Sequence, residues 1–356
     1  MSKSKNVIFR CDGNSEIGMG HIIGSIRLAR LLKKELSLEP IFLTRANDNI
    51  CNYLDSNDFQ YSTIPSSANV ELQIQKILQL HENYRSDIVV FNFNAEELEL
   101  WGDKFKILKD EGLKIVFQDN PMQSFLFGDV VINALPHPEY KGYNSFEHPA
   151  CFDGLKYMLF DDALYHLEKK IEKKIEKKPG KIDRILVAMG GGDSENISST
   201  ILRMLSEIGC RAEIDVVLGA ACPHMDEVND IIIKSSLKAK LSINISDMAS
   251  RIYHADLGFS AIGLTTYEMA ALKLPCFIIT PHALNAKVAK VYERDYLMAK
   301  YGGMISNIKM DDLRKQIKIF ISDSTFHHNV RNTQINFEYF GNYKKILSII
   351  ESTLIT

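Results

Sequence analysis

At 356 residues the chain exceeds the size of a single hydrophobic core, so two domains of ordinary size are expected. Its 42 Lys and Arg against 45 Asp and Glu leave a formal net charge of -3, without the basic excess that condenses on phosphate backbones or anionic lipid, so a nucleic-acid binder is not expected. The six cysteines are scattered with no CxxC pair, no apolar run approaches the roughly 20 residues that span a bilayer, and NVIF near the start is too short for a signal-peptide core. The chain therefore reads as soluble and cytoplasmic, with reduced thiols, no zinc site and no membrane span.

In chain order, short β-rich runs alternate with helical stretches. NVIFRCD (6–12), PIFLTR (40–45), FQYSTIP (59–65), DIVVFNF (87–93), KIVFQD (114–119) and DVVINAL (129–135) are divided by segments such as ANVELQIQKILQLHENY (68–84). A second series follows with RILVAM (184–189), EIDVVLG (213–219), LSINI (241–245), DLGFSAI (256–262) and CFIIT (276–280). Each is the βαβα pattern of a parallel sheet covered by helices, so two α/β domains are expected, over 1–166 and 182–335. Between them, LEKKIEKKIEKKPGK (167–181) repeats Leu167, Ile171 and Ile175 every four residues among Glu-Lys pairs before Pro179-Gly180. It reads as a charged helical connector with a solvated face. The last stretch, 336–356, has helical period in NYKKILSIIESTLIT and is a candidate to pack back on the first domain.

The run VIFRCDGNSEIGMGHIIGSIRLARLLKK (7–34) passes from a strand through a loop holding Gly18, Gly20 and His21 into a helix whose Ile22, Ile26 and Ala29 fall at helical spacing. In an open parallel sheet, ligands bind beyond the carboxyl ends of strands, where helix N-termini offer free N–H groups to anions. A dinucleotide fingerprint would need a third glycine where Ile23 stands and an acidic end to the next strand, which instead ends in Thr44-Arg45. A nicotinamide cofactor is disfavoured, and no cofactor is expected. Taken alone, His21 is either a proton-transfer group or a helix-terminal residue satisfied by a backbone carbonyl.

Two stretches of the second domain bear on that choice. Gly190, Gly191 and Gly192 follow a strand and precede a helix, a backbone nest able to cradle a diphosphate. Further on, a strand runs into Gly263, Thr265 and Thr266 and a short helix carrying Glu268, whose carboxylate could accept from both hydroxyls of a ribose or simply favour the helix dipole.

Together, FRCDGNSEIGMGH, GGGDSENIS and SAIGLTTYEMAALKLPCFII resemble the nucleotide-sugar hydrolase of pseudaminic acid biosynthesis and the related spore-coat polysaccharide proteins. The resemblance covers most of the chain and implies the GT-B fold: two Rossmann-like domains facing a cleft, the nucleotide held mainly by the second. By motif match it puts the active-site histidine on His21, beside Arg10 and Asp12. It puts nucleotide binding on Gly20, Gly190, Gly191, Gly192, Ser260, Gly263, Thr265, Glu268 and Asn285. Three departures lie in the first domain: Gly24 where the family has an arginine, Asn92-Phe93-Asn94 in place of an aspartate-x-tyrosine triplet, and Asp119-Asn120 for an acidic pair.

The activity so implied is metal-independent cleavage of the anomeric bond of a UDP-linked acetamido or diacetamido deoxy sugar, the diphosphate leaving into the Gly190–Gly192 loop and neighbouring helix N-termini. His21 would take the proton of the attacking water and Asp12 would orient its imidazole. No DxD triplet is present to hold a divalent cation. Two other readings stay open: a glycosyltransferase of the same fold with a sugar acceptor, and a non-catalytic nucleotide-sugar binding protein. The sequence leaves the oligomeric state open.

Overall fold

The computed structural model describes residues 6–13, 19–119, 127–135, 150–175, 182–220 and 222–352. Gly18, Asn120 and the 176–181 end of the charged segment lie outside them. The chain divides into two compact units, one formed by Met1–Leu159 with Tyr339–Thr356 and the other by Phe160–Glu338.

The first unit contains β1 (Asn6–Cys11), α1 (Gly20–Leu36), β2 (Glu39–Arg45), α2 (Asp48–Asp55), β3 (Gln60–Ile64), α3 (Val70–Tyr84), β4 (Ile88–Asn92), α4 (Ala95–Trp101), α5 (Phe105–Asp110), β5 (Lys114–Gln118), β6 (Val130–Asn133) and β7 (Ala150–Asp153). Its seven strands, all parallel, run β3-β2-β1-β4-β5-β6-β7. The central strands read as unbroken apolar runs because helices cover both faces. Val7, Phe9 and Cys11 pack on one side with α1, while Ile8 packs on the other with α3, α4 and α5. Asn47, Asn69 and Asn94 start α2, α3 and α4 by accepting hydrogen bonds from backbone N–H groups of their first turns.

The second unit contains α6 (Asp162–Ile175), β8 (Arg184–Ala188), α7 (Ile197–Glu207), β9 (Glu213–Leu218), α8 (Met225–Lys234), β10 (Lys238–Ile243), α9 (Met248–His254), β11 (Leu257–Ser260), α10 (Leu264–Ala271), β12 (Cys276–Thr280), α11 (Ala283–Val291), β13 (Ala299–Met304), α12 (Met310–Ser322) and α13 (Ser324–Ile335). Its six parallel strands run β10-β9-β8-β11-β12-β13. The chain then returns to the first unit as α14 (Tyr343–Ile350), whose Ile346, Leu347 and Ile350 share a core with Ile22, Ile26 and Ala29 of α1. Arg27 of α1 is also buried, and its guanidinium donates to the Leu159 carbonyl at 3.3 Å.

Three features depart from the sequence expectations. Helix α6 begins at Asp162 and belongs to the second unit, where it packs on α9 and α10 with Leu164 and Ile171 buried. Ile171 of the charged segment thus packs inward. Strand β7 is a four-residue edge strand with little apolar signal. Strand β13 is not among the expected strands; it contains Gly302-Gly303, and a Cβ on Gly302 would stand 2.2 Å from the Phe277 ring of the neighbouring strand. Glycine here permits close packing at a bulged edge. Cys11, Cys51, Cys210, Cys222 and Cys276 are free thiols, and among the described residues no helix is long and apolar enough to cross a membrane.

Candidate functional site

The carboxyl edges of both sheets carry the residues singled out above. In the first unit the strand order reverses between β1 and β4, the kind of place where ligands of open parallel sheets bind. His21 stands there, the second residue of α1. Its Nδ1 lies 2.6 Å from Asn92 Oδ1 at the end of β4, and the Asn92 amide nitrogen donates to the His21 carbonyl at 3.1 Å. Burial pushes the imidazole below its ordinary value, against the opposite pulls of the Asn92 contact and the Asp12 charge. Burial thus favours the neutral imidazole.

Asp12 does not orient the imidazole, contrary to expectation, because its oxygens are already taken. It accepts from Arg10 Nη2 at 2.8 Å, from the Arg45 backbone N–H at 2.7 Å and from the Arg45 guanidinium. Burial works to raise its pKa, but these two arginines outweigh burial and hold the carboxyl below its usual range. Arg10, wholly buried, also donates to Gln73 Oε1 at 2.9 Å. Arg45 reaches on to Glu97 at 3.0 Å, and Gln73 donates to the same carboxylate at 2.8 Å. Arg10 and Asp12 thus belong to a closed network that shapes the edge.

Each member of the Asn92-Phe93-Asn94 triplet has work within this half. Asn92 holds His21, the Phe93 ring lies under the Arg10 guanidinium at 4.9 Å, and Asn94 caps α4 by accepting from Glu97 N–H at 2.9 Å. Gly24 belongs to the same arrangement. A Cβ there would come within 3.3 Å of Gln118 Nε2, which donates to the Gly24 carbonyl at 3.0 Å, and 3.4 Å of Asn92 Nδ2. Beyond β5, burial raises the Asp119 carboxyl to about 6, against hydrogen bonds from the backbone N–H groups of Ala134 and Leu135.

The edge of the second sheet is built from backbone. Gly190, Gly191 and Gly192 follow β8, Ser260 and Gly263 follow or end β11, and Asn285 stands half-buried in the first turn of α11, after β12. These three strands are neighbours, again flanking the point where strand order reverses. Gly190 requires glycine for its φ of +95°. Gly191 and Gly263 do not: neither has a left-handed φ, and an added Cβ meets nothing within 4 Å among the described residues. Gly219, after β9, is the reverse case, since its Cβ would come within 2.3 Å of the Gly191 carbonyl oxygen.

Two expectations for this half are corrected. The start of α7 offers fewer free donors than supposed, because the buried Asp193 accepts from Ile197 N–H at 2.8 Å and Ser198 N–H at 3.0 Å. The start of α10, by contrast, has no side-chain cap, although the Thr266 N–H there donates to the Gly263 carbonyl at 3.0 Å. Ser260 is buried, and its hydroxyl donates to the Ala188 carbonyl at 3.0 Å and lies 3.3 Å from Thr266 Oγ1. Glu268 sits one turn inside α10 and is 6% exposed, so it is a buried carboxylate and not a first-turn dipole charge.

No family model matches the chain. It is 29% identical over 280 residues to an uncharacterized protein of Methanocaldococcus jannaschii, a match covering 77% of this chain and 55%, about half, of that protein. It is 24% identical over 284 residues to the spore coat polysaccharide biosynthesis protein SpsG of Bacillus subtilis, covering 79% of each chain. Among solved structures, MurG of Acinetobacter baumannii superposes with a TM-score of 0.67 at 14% identity, covering 98% of this chain and 99% of that one. UGT2 of Phytolacca americana, in complex with UDP-2fluoro-glucose and pterostilbene, does so with a TM-score of 0.66 at 11% identity over 98% and 99%. The fold is GT-B. The likeness to SpsG supports the resemblance read from the motifs of the two GT-B halves.

Sequence reasoning missed Asn92 as the partner of His21, Asp193 as the cap of α7 and Gly219 as the floor of the glycine loop. A signal existed for the last two. Aspartate directly after three glycines and before a helix is a capping pattern, and a glycine closing EIDVVLG marks close backbone approach.

Proposed function

We propose that the protein is a nucleotide-sugar hydrolase of surface polysaccharide biosynthesis, acting on a UDP-linked acetamido or diacetamido deoxy sugar. What carries the reading is that the candidate residues of both halves cluster at the carboxyl edges of parallel sheets, on the strands that flank each switch point. The GT-B fold and the likeness to SpsG support a nucleotide-sugar enzyme of polysaccharide biosynthesis, and the UDP sugar bound by UGT2 supports the choice of nucleotide.

In this reading the second half binds the nucleotide. Backbone N–H groups of Gly190–Gly192 and of the uncapped start of α10 receive the diphosphate, and Glu268, Thr265 and Asn285 recognise the nucleoside side. The first half supplies the base. Neutral His21 takes a proton from water as the water oxygen bonds to the anomeric carbon, and the bond from that carbon to the diphosphate oxygen breaks with its electron pair going to the diphosphate. Donors fixed before the reaction stabilise the charge that grows on the leaving group.

A transferase with a sugar acceptor is the second reading, favoured by one observation: Gly24 and Asn92-Phe93-Asn94 are engaged within their own half, at positions where the family resemblance implies residues that line the sugar site. Incubation with a panel of nucleotide sugars, followed by mass spectrometry, separates the two. Free sugar plus UDP without any acceptor is the expected result, and turnover only with an added sugar would establish the transferase. A thermal melt with UDP, CDP or GDP, with and without EDTA, tests the binding step: a ligand at a hundredfold excess over Kd adds about 2.7 kcal/mol. No shift with any nucleotide would overturn the whole reading.

A further inference from the structure

We infer that Asn92 is a positioning residue that locks His21 as the Nδ1–H tautomer and so leaves Nε2 as the proton-accepting nitrogen. The argument is one of hydrogen-bond matching. The Asn92 side chain makes two contacts with one residue: Nδ2 to the His21 carbonyl at 3.1 Å and Oδ1 to the His21 Nδ1 at 2.6 Å. Turning the amide over would set its oxygen against the carbonyl oxygen, two acceptors with no proton between them. The carbonyl therefore dictates the amide orientation, and the amide oxygen dictates that Nδ1 carries the hydrogen. Gly24 lies beside this pair: a Cβ there would touch the Asn92 amide nitrogen at 3.4 Å and press on Gln118 Nε2 at 3.3 Å.

The neutrality of the amide has its own consequence. A carboxylate at Asn92 would hold the imidazolium; an amide orients the ring without doing so. The other groups around the start of α1 do little to replace that charge. From the loop after β1 comes Asp12, shared between Arg10 and Arg45; from β5 come the neutral Gln118 and, just beyond it, Asp119, whose carboxyl titrates near 6. His21 is thus kept neutral and oriented at once.

The base role of His21 rests on the proposed function, but the tautomer can be read without it. In protein labelled with nitrogen-15 histidine, the His21 signals are those lost in His21→Gln. The expected spectrum shows a protonated Nδ1 and a bare Nε2; the opposite tautomer, or a mixture, would overturn the inference. Asn92→Asp, which keeps the acceptor and adds a charge, should retain the tautomer and raise the His21 titration midpoint by about 1 to 3 pH units. The acid limb of turnover should move by the same amount. An unmoved midpoint in that variant, or a pure Nδ1–H tautomer in folded Asn92→Leu, would show that Asn92 does not control the ring. If no nucleotide sugar is turned over, the proposed activity fails while the spectra still decide the tautomer.

Discussion

The two halves share one architecture and furnish its edge in opposite ways. The first sheet ends in side chains: Arg10, Asp12, Arg45, Glu97 and Gln73 bonded to one another, and His21 bonded to Asn92. The second ends mainly in backbone: Gly190–Gly192 laid against Gly219, and an α10 with no capping side chain. Side chains can titrate, so a side-chain edge suits proton transfer. A row of N–H groups cannot change its charge and needs no reorganisation, which suits holding a diphosphate whose charge grows. The contrast teaches that one doubly wound sheet can serve either task, depending on what its loops leave uncovered.

Substitutions that separate rate from affinity test this division most severely. His21→Ala should lower turnover by roughly 10²- to 10⁴-fold, the usual loss for a general base, and leave UDP affinity by calorimetry unchanged. Near-normal turnover in a folded variant would remove the first half from the chemistry. Glu268→Ala should do the converse, weakening UDP binding by about 1.5 to 3 kcal/mol, the scale of hydrogen bonds to a charged group. Unchanged affinity would make Glu268 a structural carboxylate of α10.

The glycines give a finer test because packing and ligand approach make different demands. Gly219→Ala should destabilise the fold by about 1 to 3 kcal/mol, since its Cβ overlaps the Gly191 backbone. Gly191→Ala, entering open space without left-handed φ, should change stability by less than about 0.5 kcal/mol and still weaken UDP binding by about tenfold. Chemical denaturation and calorimetry on both variants give the answer. Equal affinities for wild type and Gly191→Ala would mean that the loop is a turn and nothing more.

The parallel α/β pattern was legible because buried strands in such sheets are continuous apolar runs and the helices between them have clear periods. The elements that escaped are those whose signal lies in a neighbour. The role of Gly302 shows only once Phe277 is seen across it, and β7 is too short to show a pattern. At the site, motif residues could be picked out one at a time, as with His21 and Gly190–Gly192, but their partners could not. Asp12 lies nine residues from His21 in sequence and bonds to Arg10 and Arg45, whereas Asn92, 71 residues away, supplies the contact. Only strand order brings β4 beside β1, and it is that adjacency which assigns the imidazole its partner.

Asp119 carries the comparison into stability. Burial raises its carboxyl to about 6 in the folded protein, against about 3.9 in an unfolded chain. Between those values the folded state holds the proton more tightly, so its contribution is complete below pH about 4 and is lost as the pH rises through 6. At pH 8 the fold retains a half-buried charge at a cost. Asp119→Asn keeps an oxygen for the backbone N–H groups of Ala134 and Leu135, suits the φ of +56°, and never ionises. It should therefore stabilise the protein by about 1 to 2 kcal/mol at pH 8 and by nothing measurable at pH 4. Urea denaturation at the two pH values measures the difference. An equal effect at both would mean that the carboxyl is not held above its ordinary value, and that the side-chain edge carries its charges without cost to the fold.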